Sequence, residues 1–371
     1  MKPFIPQPLP PTGLEWEPLI PFISRANRSL AHYDALLYGI PNPDVLLSPL
    51  TTREAVLSSK IEGTQATLGE VFKFEAGQAP EQESRRQDIH EIMNYRTALI
   101  RAEKALEERP FNLNLLLDLH TILLNSVRGR DKQRGKFRNK QNWIGAPGSP
   151  IEQAEFIPPD PLSLMPHLSE WEKYYHAEQP DPLVQLALVH AQFEIIHPFL
   201  DGNGRLGRIL VPIFLYEKKV LSRPMFYLSS YLEMHRDPYI EHLRNLGVQE
   251  GAWNRWITFF LTALDEQAKE NAAKARAVIE LYERLKLRII ELTHSQFAVP
   301  ILDVLFERPI SRSSDFEGRK GMPSKPMIMT LLNQLKNADI LKVVVEGRGR
   351  RAQVLALAEL INLCEGKNVI R

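Results

Sequence analysis

One short run near the middle of the chain contains most of the residue types that could do chemistry. It reads HPFLDGNGRLGR from His197 to Arg208 and combines a histidine, a carboxylate, a glycine-rich turn and two arginines. A histidine such as His197 can accept a proton near neutral pH, and a carboxylate such as Asp201 can bind magnesium. Arginine forms paired hydrogen bonds with phosphate oxygens. Together these residues predict a site that stabilises charge during phosphoryl or nucleotidyl transfer.

Two helices must position this run. The apolar stretch from Leu183 to Ile196 predicts a buried helix that ends at the histidine. The stretch from Leu206 to Tyr216 predicts the next helix. The backbone N–H groups of residues 202–204 would then lie at the positive end of the second helix, where anions bind. Arg205 and Arg208, three residues apart, would share one face of that helix.

The run resembles the signature of the Fic family, His-Pro-Phe-x-(Asp/Glu)-Gly-Asn-Gly-Arg-x-x-Arg, at every fixed position. The resemblance implies a mainly α-helical Fic core with a short β-hairpin flap. It implies an enzyme that transfers AMP from ATP to a Ser, Thr or Tyr hydroxyl of a target protein and releases pyrophosphate, with self-modification also expected. His197 would be the catalytic base and Asp201 the Mg²⁺ ligand. The nucleotide contacts would include Gly202, Asn203, Gly204, Arg205, Leu206, Gly207 and Arg208.

A second motif lies well upstream of the first. A capping-box pattern predicts a helix from Thr52 to Glu62 that ends at Gly63. Its last residues resemble the inhibitory motif (Ser/Thr)-x-x-x-Glu-(Gly/Asn) of the Fic class that carries an inhibitory helix in its own N-terminal region. The resemblance implies that Glu62 pairs with Arg208 and keeps the ATP γ-phosphate away from it. An ordinary surface helix that ends in a solvated glutamate is the alternative. The regulatory residues implied are Ser58, Glu62 and Gly63.

Two further segments resemble parts of the family's ligand site. The stretch from Gly135 to Gly145 resembles the flap, a hairpin that adds a strand to the backbone of the target. A proline-rich surface loop is the alternative. The stretch Asp237–Ile240 occupies the place where relatives put an aromatic or apolar pair against adenine, and core packing would explain it equally well. The additional nucleotide contacts expected are Ile144, Gly145, Tyr239 and Ile240.

The same residues leave other functions open. The turn could merely cap two helices. The pairs Glu194/His197 and Glu291/His294 have the Glu-x-x-His spacing of di-iron bundles, although no obvious bridging carboxylates accompany them. Water in place of the acceptor hydroxyl would make the enzyme a hydrolase that removes AMP.

The composition sets limits on the class of protein. The chain has 371 residues, 25% of them charged, and a net charge of +1. Such a chain is a globular protein of two or three domains without a general attraction for nucleic acid or membranes. The single cysteine, Cys364, excludes an intrachain disulfide and suits a reducing cytosol. Because no stretch has the length of a membrane span or signal peptide, we expect a cytoplasmic protein without a membrane partner.

Three domains are predicted along the chain. They are an N-terminal helical region with the inhibitory helix (1–110), a Fic catalytic core (111–275) and a C-terminal winged helix-turn-helix domain (285–371). In the last domain the pattern predicts two helices, then two strands on either side of a basic turn. They are Val299–Phe306, Lys325–Lys336, Leu341–Val345 and Gln353–Leu357.

The C-terminal domain admits two roles. Basic residues exceed acidic ones from Leu281 onward, so the domain could contact nucleic acid and the protein could be a nucleotide-sensing, DNA-binding regulator. Winged helices also serve as protein-docking or dimer modules, and a homodimer is expected for the family. The candidate phosphate contacts are Lys325, Lys336, Arg348, Arg350 and Arg351.

Overall fold

The computed structural model describes residues 2–125, 132–146, 148–347 and 352–370. The described chain is mainly α-helical and has one three-stranded antiparallel sheet, which confirms the predicted fold class. No helix in these ranges is long and apolar enough to cross a membrane. Two compact units are present. The first comprises Met1–Ala35, Leu57–Gly63 and Asn94–Glu270, and the second comprises Leu36–Val56, Thr64–Met93 and Asn271–Arg371.

The helices account for most of the described residues. The first eight are α1 (Ile20–Gly39), α2 (Pro43–Leu46), α3 (Ser48–Ile61), α4 (Leu68–Glu75), α5 (Glu83–Glu108), α6 (Leu113–Leu123), α7 (Leu164–His176) and α8 (Pro182–Ile196). The others are α9 (Asn203–Glu217), α10 (Ser229–Met234), α11 (Arg236–Asn245), α12 (Ala252–Thr293), α13 (Ala298–Glu307), α14 (Lys325–Asn337) and α15 (Ala358–Glu365).

Helices α8 and α9 flank the HPFLDGNGRLGR run and form the centre of the first unit, as the sequence predicted. The N-terminus of α8 is capped by Asp181, whose carboxylate accepts from the N–H groups of Leu183 and Val184, both at 2.9 Å. Nearly every residue of α8 is buried, as its apolar sequence requires. Helix α9 begins at Asn203, earlier than predicted, because Gly202 has a left-handed φ of 83° that only glycine adopts without cost.

Helix α3 carries the proposed inhibitory residues and begins earlier than the sequence suggested. The predicted start at Thr52 is wrong, since the hydroxyl of Thr52 donates to the Ser48 carbonyl at 3.1 Å from within the helix. Pro49 is compatible with this earlier start because a first-turn residue needs no N–H partner. The predicted end is close to the observed one, and Gly63 follows with a φ of 101°.

The second unit contains the sheet. Its strands are β1 (Ile310–Arg312), β2 (Lys342–Val345) and β3 (Val354–Ala356), with β3 in the centre. Strands β2 and β3 form the predicted C-terminal hairpin, whereas β1 was not predicted. The basic residues Arg348, Arg350 and Arg351 lie outside the described residues. The winged-helix assignment, nucleic-acid binding and the limits of the three domains stay predictions.

The flap of the first unit is smaller than a full hairpin. A single antiparallel bridge joins Ile144 to Phe156, with the Ile144 N–H donating to the Phe156 carbonyl at 2.9 Å. The glycine and proline residues between these positions disfavour a longer ladder. Side chains of Arg138, Gln141 and Asn142 also hold the backbone near the base of this segment, as described below.

Candidate active site

A cavity of about 530 Å³ lies within the first unit beside the start of α9. It is bordered by the end of α3, the flap, the end of α8 and helix α11. Eight of the predicted site residues line it: Glu62, Ile144, Gly145, His197, Gly204, Arg208, Tyr239 and Ile240. The other predicted residues do not line it: Ser58, Gly63, Asp201, Gly202, Asn203, Arg205, Leu206 and Gly207.

His197 ends α8 in a left-handed conformation, with a φ of 48° that directs the chain into the glycine turn. Its Nδ1 lies 3.2 Å from the carbonyl oxygen of Glu194. Since a carbonyl only accepts, Nδ1 carries the proton and Nε2 has the lone pair. Burial lowers the pKa of His197 to about 4. The imidazole is therefore neutral at pH 7, as a proton acceptor must be.

The turn between the two helices is held by Asn203. Its side-chain oxygen accepts from the Phe199 N–H and its amide donates to the Phe199 carbonyl, both at 2.9 Å. This pair of bonds occupies the side chain, so Asn203 can offer an anion only its backbone N–H. The first-turn N–H groups of a helix have no acceptors within it. The start of α9 is therefore suited to bind a phosphate.

Arg208 and the end of α3 are joined by three hydrogen bonds. The guanidinium donates to the Ser58 hydroxyl at 2.8 Å, to the Ser58 carbonyl at 2.9 Å and to a Glu62 carboxylate oxygen at 2.7 Å. The side chain of Arg208 is 1% exposed and that of Glu62 is 39% exposed. Burial alone would raise the pKa of Glu62, but the charge and hydrogen bond of Arg208 hold it below its usual value. The pair is therefore ionic at neutral pH.

Asp201 lies at the outer side of the turn. Its carboxylate is 41% exposed and accepts from the buried Arg205 at 3.2 Å. An exposed carboxylate beside a phosphate site suits magnesium, which keeps several waters and takes one or two carboxylates with the substrate phosphates. Among the described residues, no group of three or more His, Cys, Asp or Glu side chains is placed to hold a metal ion.

Tyr239 contributes its ring to the cavity and its hydroxyl to the core. The hydroxyl lies 2.9 Å from Nε2 of His190, whose Nδ1 lies 3.0 Å from the Gly207 carbonyl. Because that carbonyl accepts, Nδ1 of His190 carries the proton and Nε2 accepts from Tyr239. Burial lowers the pKa of His190 to about 3, so the imidazole stays neutral. The hydrogen bond to His190 thus fixes the Tyr239 ring through its hydroxyl. This contact is compatible both with adenine binding on the ring and with a role in core packing.

Glu194 is a cavity residue without a predicted nucleotide role. Its Oε1 is buried and has no hydrogen-bond partner among the described residues. Burial raises the pKa of Glu194 to about 8, against the lowering effect of Arg208. The carboxyl rests against the Cα of Gly207, where any side chain would clash with Oε1. Gly207 is therefore required by a neighbouring side chain rather than by a turn.

His120 was not predicted as a site residue, although it holds the turn in place. Its ring stacks on Phe199 with centroids 3.9 Å apart. The Gly135 N–H donates to Nδ1 at 2.8 Å, so Nε2 carries the proton and donates to the Asp201 carbonyl at 3.2 Å. Burial lowers the pKa of His120 to about 4, which keeps this arrangement uncharged. No sequence signal indicates these partners, because both are backbone groups distant along the chain.

Other cavity residues also escaped prediction. Arg236 donates to the Ile61 carbonyl at 3.4 Å, and Arg244 forms an ion pair with Glu155 on the flap. These residues have no fixed spacing from the glycine run, so only the fold brings them to the cavity. The cavity-wall residues to which the sequence assigned no contact with nucleotide include Trp143, Glu155, Phe156, Glu194, Arg236 and Arg244.

Comparison with known families assigns the chain. The Fic/DOC family N-terminal model matches residues 20–104, and the Fic/DOC family model matches residues 110–215. The second match contains the entire HPFLDGNGRLGR run, and the first contains Ser58 and Glu62. The chain therefore belongs to the Fic/DOC family.

Among characterised relatives, the chain is similar to insect proteins named protein adenylyltransferase Fic. It is 32% identical to the one from Drosophila ananassae over 103 residues, which is 27% of this chain and 18% of that protein. It is 30% identical to the one from Culex quinquefasciatus over 132 residues, which is 35% of this chain and 23% of that protein. The chain thus matches about a fifth of the length of these relatives.

Solved structures share the fold. A Fic family protein from Desulfovibrio desulfuricans G20 superposes with a TM-score of 0.59 at 18% identity and covers 95% of this chain and 98% of its own. Fic-1 from C. elegans superposes with a TM-score of 0.54 at 17% identity, over 71% of this chain and 75% of its own. At such identities the similarity concerns the fold alone.

Proposed function

We propose that this protein is an autoinhibited protein adenylyltransferase that transfers AMP from ATP to a hydroxyl side chain of a target protein. The observation that carries the proposal is the arrangement of one cavity. It contains a neutral histidine whose Nε2 carries the lone pair, the start of α9 and a buried arginine. These groups supply a base, an anion site and a phosphate contact. The membership of the Fic/DOC family supports the same reaction.

In the proposed reaction, His197 accepts the proton of the target hydroxyl as its oxygen attacks the α-phosphorus of ATP. The bond from the α-phosphorus to the bridging oxygen breaks, and pyrophosphate leaves with the electron pair. Backbone N–H groups of residues 202–204 and the Arg208 side chain stabilise the phosphate charge. Asp201 would hold Mg²⁺, which neutralises part of the phosphate charge when bound. Tyr239 and Ile240 would border the adenine, while Ile144 and Gly145 would border the target and the nucleotide.

We also propose that Glu62 inhibits this reaction. The Arg208 guanidinium that would bind the γ-phosphate already donates to the Glu62 carboxylate at 2.7 Å. A phosphate and a carboxylate cannot share the same N–H donors without strong repulsion. ATP could therefore bind productively only after Glu62 moves away. Ser58 contributes to the same restraint, because both its hydroxyl and its carbonyl accept from Arg208.

A direct experiment tests the activity. The purified chain is incubated with ATP labelled on the α-phosphate, magnesium and a cell lysate, and labelled proteins are separated on a gel. We expect weak labelling by the native chain, stronger labelling by Glu62→Gly and none by the double variant Glu62→Gly/His197→Ala. Labelling from γ-labelled ATP but not from α-labelled ATP would contradict AMP transfer.

Removal of AMP by hydrolysis is a second candidate at the same site. The proposed base can activate water as readily as a hydroxyl, and the Glu62 carboxylate faces the same cavity as His197. A target first modified by the Glu62→Gly variant, then incubated with the native chain without ATP, tests this reaction. Release of labelled AMP would support hydrolysis. A homodimer and a cytoplasmic location remain predictions from the sequence.

A further inference from the structure

Arg138 is a buried arginine, and its hydrogen-bond acceptors among the described residues are all main-chain carbonyls. It is 2% exposed and lies between the flap and the end of α8. Its Nε donates to the His197 carbonyl at 2.9 Å, and one terminal nitrogen donates to the Pro159 carbonyl at 2.6 Å and the Ile196 carbonyl at 3.4 Å. The other terminal nitrogen donates to the Lys140 carbonyl at 3.4 Å. Burying a charged guanidinium costs free energy that packing alone does not recover, so we ask what these hydrogen bonds hold in place.

The first consequence concerns the backbone of His197. Residues other than glycine adopt positive φ values at a cost, and the φ of His197 is 48°. In this conformation its carbonyl turns toward Arg138 and Asn142, and both side chains donate to it, at 2.9 and 3.3 Å. Asn142 also donates to the Phe199 carbonyl at 2.9 Å. These donors stabilise the conformation that aims the imidazole into the cavity.

The second consequence concerns the flap. Arg138 lies at the base of the flap, opposite Pro158 and Pro159, where the chain returns from it, and the two sides are joined there by hydrogen bonds. The Gln141 amide donates to the Pro158 carbonyl at 2.9 Å, while Arg138 reaches the Pro159 carbonyl. Because the same guanidinium reaches His197, the base of the flap and the end of α8 form one hydrogen-bonded unit.

The third consequence is electrostatic. Burial lowers the pKa of Arg138 to about 10, against the opposing effect of Asp160, so the side chain stays charged at pH 7. This charge contributes to the low pKa of His197, with burial as the larger cause. Three groups on other sides of the imidazole act in the opposite sense and raise the pKa of His197. They are the backbone carbonyl of Glu194 on α8, which accepts from Nδ1, the Glu62 carboxylate just after α3 and the Asp201 carboxylate in the turn.

We propose that Arg138 is a positioning residue that fixes His197 relative to the flap, so that a target bound on the flap presents its hydroxyl to Nε2. The proposal rests on the proposed function of His197 as the base. It predicts a specific kinetic pattern. A misplaced base slows the chemical step by about 100-fold for roughly 1 Å of displacement, whereas ATP binding depends on other groups.

The test uses full-length chains in the Glu62→Gly background. Arg138→Met keeps the aliphatic stem and removes every donor, while Arg138→Lys restores one donor and the charge. We expect Arg138→Met to lower kcat for AMP transfer about 10- to 100-fold, with the Kd for ATP changed less than about twofold. We expect Arg138→Lys to recover part of the rate. The acidic limb of the pH–rate profile should move to higher pH in Arg138→Met, because the pKa of His197 rises when the nearby cation is lost.

A matched control is available four residues earlier. Arg134, which is exposed, also donates to a main-chain carbonyl, that of Thr121 at 2.6 Å, and none of its hydrogen bonds to described residues reaches His197, Pro158 or Pro159. Arg134→Met should leave kcat within about twofold and the pH profile unmoved. Equal losses in the two arginine variants would overturn the proposal, as would an Arg138→Met variant with unchanged kcat and pH profile.

Two further measurements keep the outcomes distinct. If Arg138→Met does not fold, Asn142→Asp is the alternative variant, because it replaces the second donor to the His197 carbonyl by an acceptor. Asn142→Asp should lower kcat in the same way and leave ATP binding intact. If Glu62→Gly alone transfers no AMP, the proposed function fails. The pKa of His197 measured by NMR in Arg138→Met still tests the contact, since an unchanged pKa would refute the electrostatic part independently of activity.

Discussion

Replacing Glu62 by glycine is the sharpest test of inhibition, because it removes the carboxylate from Arg208 without touching the proposed catalytic groups. The lost bond is a charge-assisted hydrogen bond of 2.7 Å, a type that contributes about 1.5–3 kcal/mol. Since the Glu62 side chain is 39% exposed, solvent screening favours the lower part of this range. A bias of about 1.5–2 kcal/mol toward the inhibited state corresponds to about 10- to 30-fold. We expect AMP transfer to increase by that factor.

A graded series separates this effect from general loosening. Ser58→Ala removes the hydroxyl that accepts from Arg208 but keeps the Ser58 carbonyl, so one bond from the charged guanidinium to an uncharged acceptor is lost. At about 1.5 kcal/mol for this bond the rate should rise about 10-fold. Glu62→Ala should raise the rate as much as Glu62→Gly does. Equal rates would exclude an effect of glycine on the end of α3. Lys60→Ala breaks a surface ion pair with Glu233 and should change the rate less than about threefold.

The assay measures initial rates of AMP incorporation at saturating magnesium over a range of ATP concentrations. Glu62→Gly leaves the buried Arg208 without its carboxylate, so the variant should unfold at lower temperature than the native chain and gain more stability from added ATP. An unchanged rate in Glu62→Gly, with the protein folded and ATP bound, would refute the reasoning.

Three other predictions follow from the groups behind the cavity. Gly207→Ala would push the Glu194 carboxyl away from α9 and should lower the free energy of unfolding in urea by about 1–3 kcal/mol. An unchanged free energy of unfolding would contradict this contact. Tyr239→Phe leaves Nε2 of His190 buried without its donor and should cost about 1–3 kcal/mol, measured in the same way. The pKa of Glu194 is raised to about 8 in the folded state, so the unfolded chain loses this proton at lower pH than the folded chain does. The free energy of unfolding should therefore fall as pH rises from about 5 to 8. Glu194→Gln should flatten this pH dependence, and an identical pH dependence in the variant would disprove the buried acid.

The sequence predicted the parts of the site that are contiguous along the chain. The apolar pattern of α8, the glycine turn and α9 act within a few residues of one another, so local signals were sufficient. The pairing of Glu62 with Arg208 joins positions 146 residues apart. The end of a helix favours a cation near Glu62, but neither segment alone identifies that cation as Arg208. The resemblance to the Fic inhibitory motif named this partner.

The supporting groups could not have been predicted in the same way. Arg138 and His120 bind main-chain carbonyls and N–H groups, which every residue possesses. Hydrogen bonds to such partners therefore place no requirement on the types of the residues that carry them. The start of α3 was misplaced for a related reason, because Thr52 can either cap a helix or bond back to a carbonyl within one.

The burial of Arg208 constrains how inhibition can be relieved. A guanidinium that is 1% exposed cannot lose its carboxylate partner without a large cost unless another anion replaces it. Glu194 borders the same cavity, but its raised pKa keeps it neutral at pH 7, so it does not supply that charge. The γ-phosphate of ATP would supply it. On the proposed mechanism, the nucleotide and Glu62 therefore compete for Arg208. Glu62→Gly should raise the apparent affinity for ATP, and the rate of AMP transfer at low ATP concentration should rise by about the same factor.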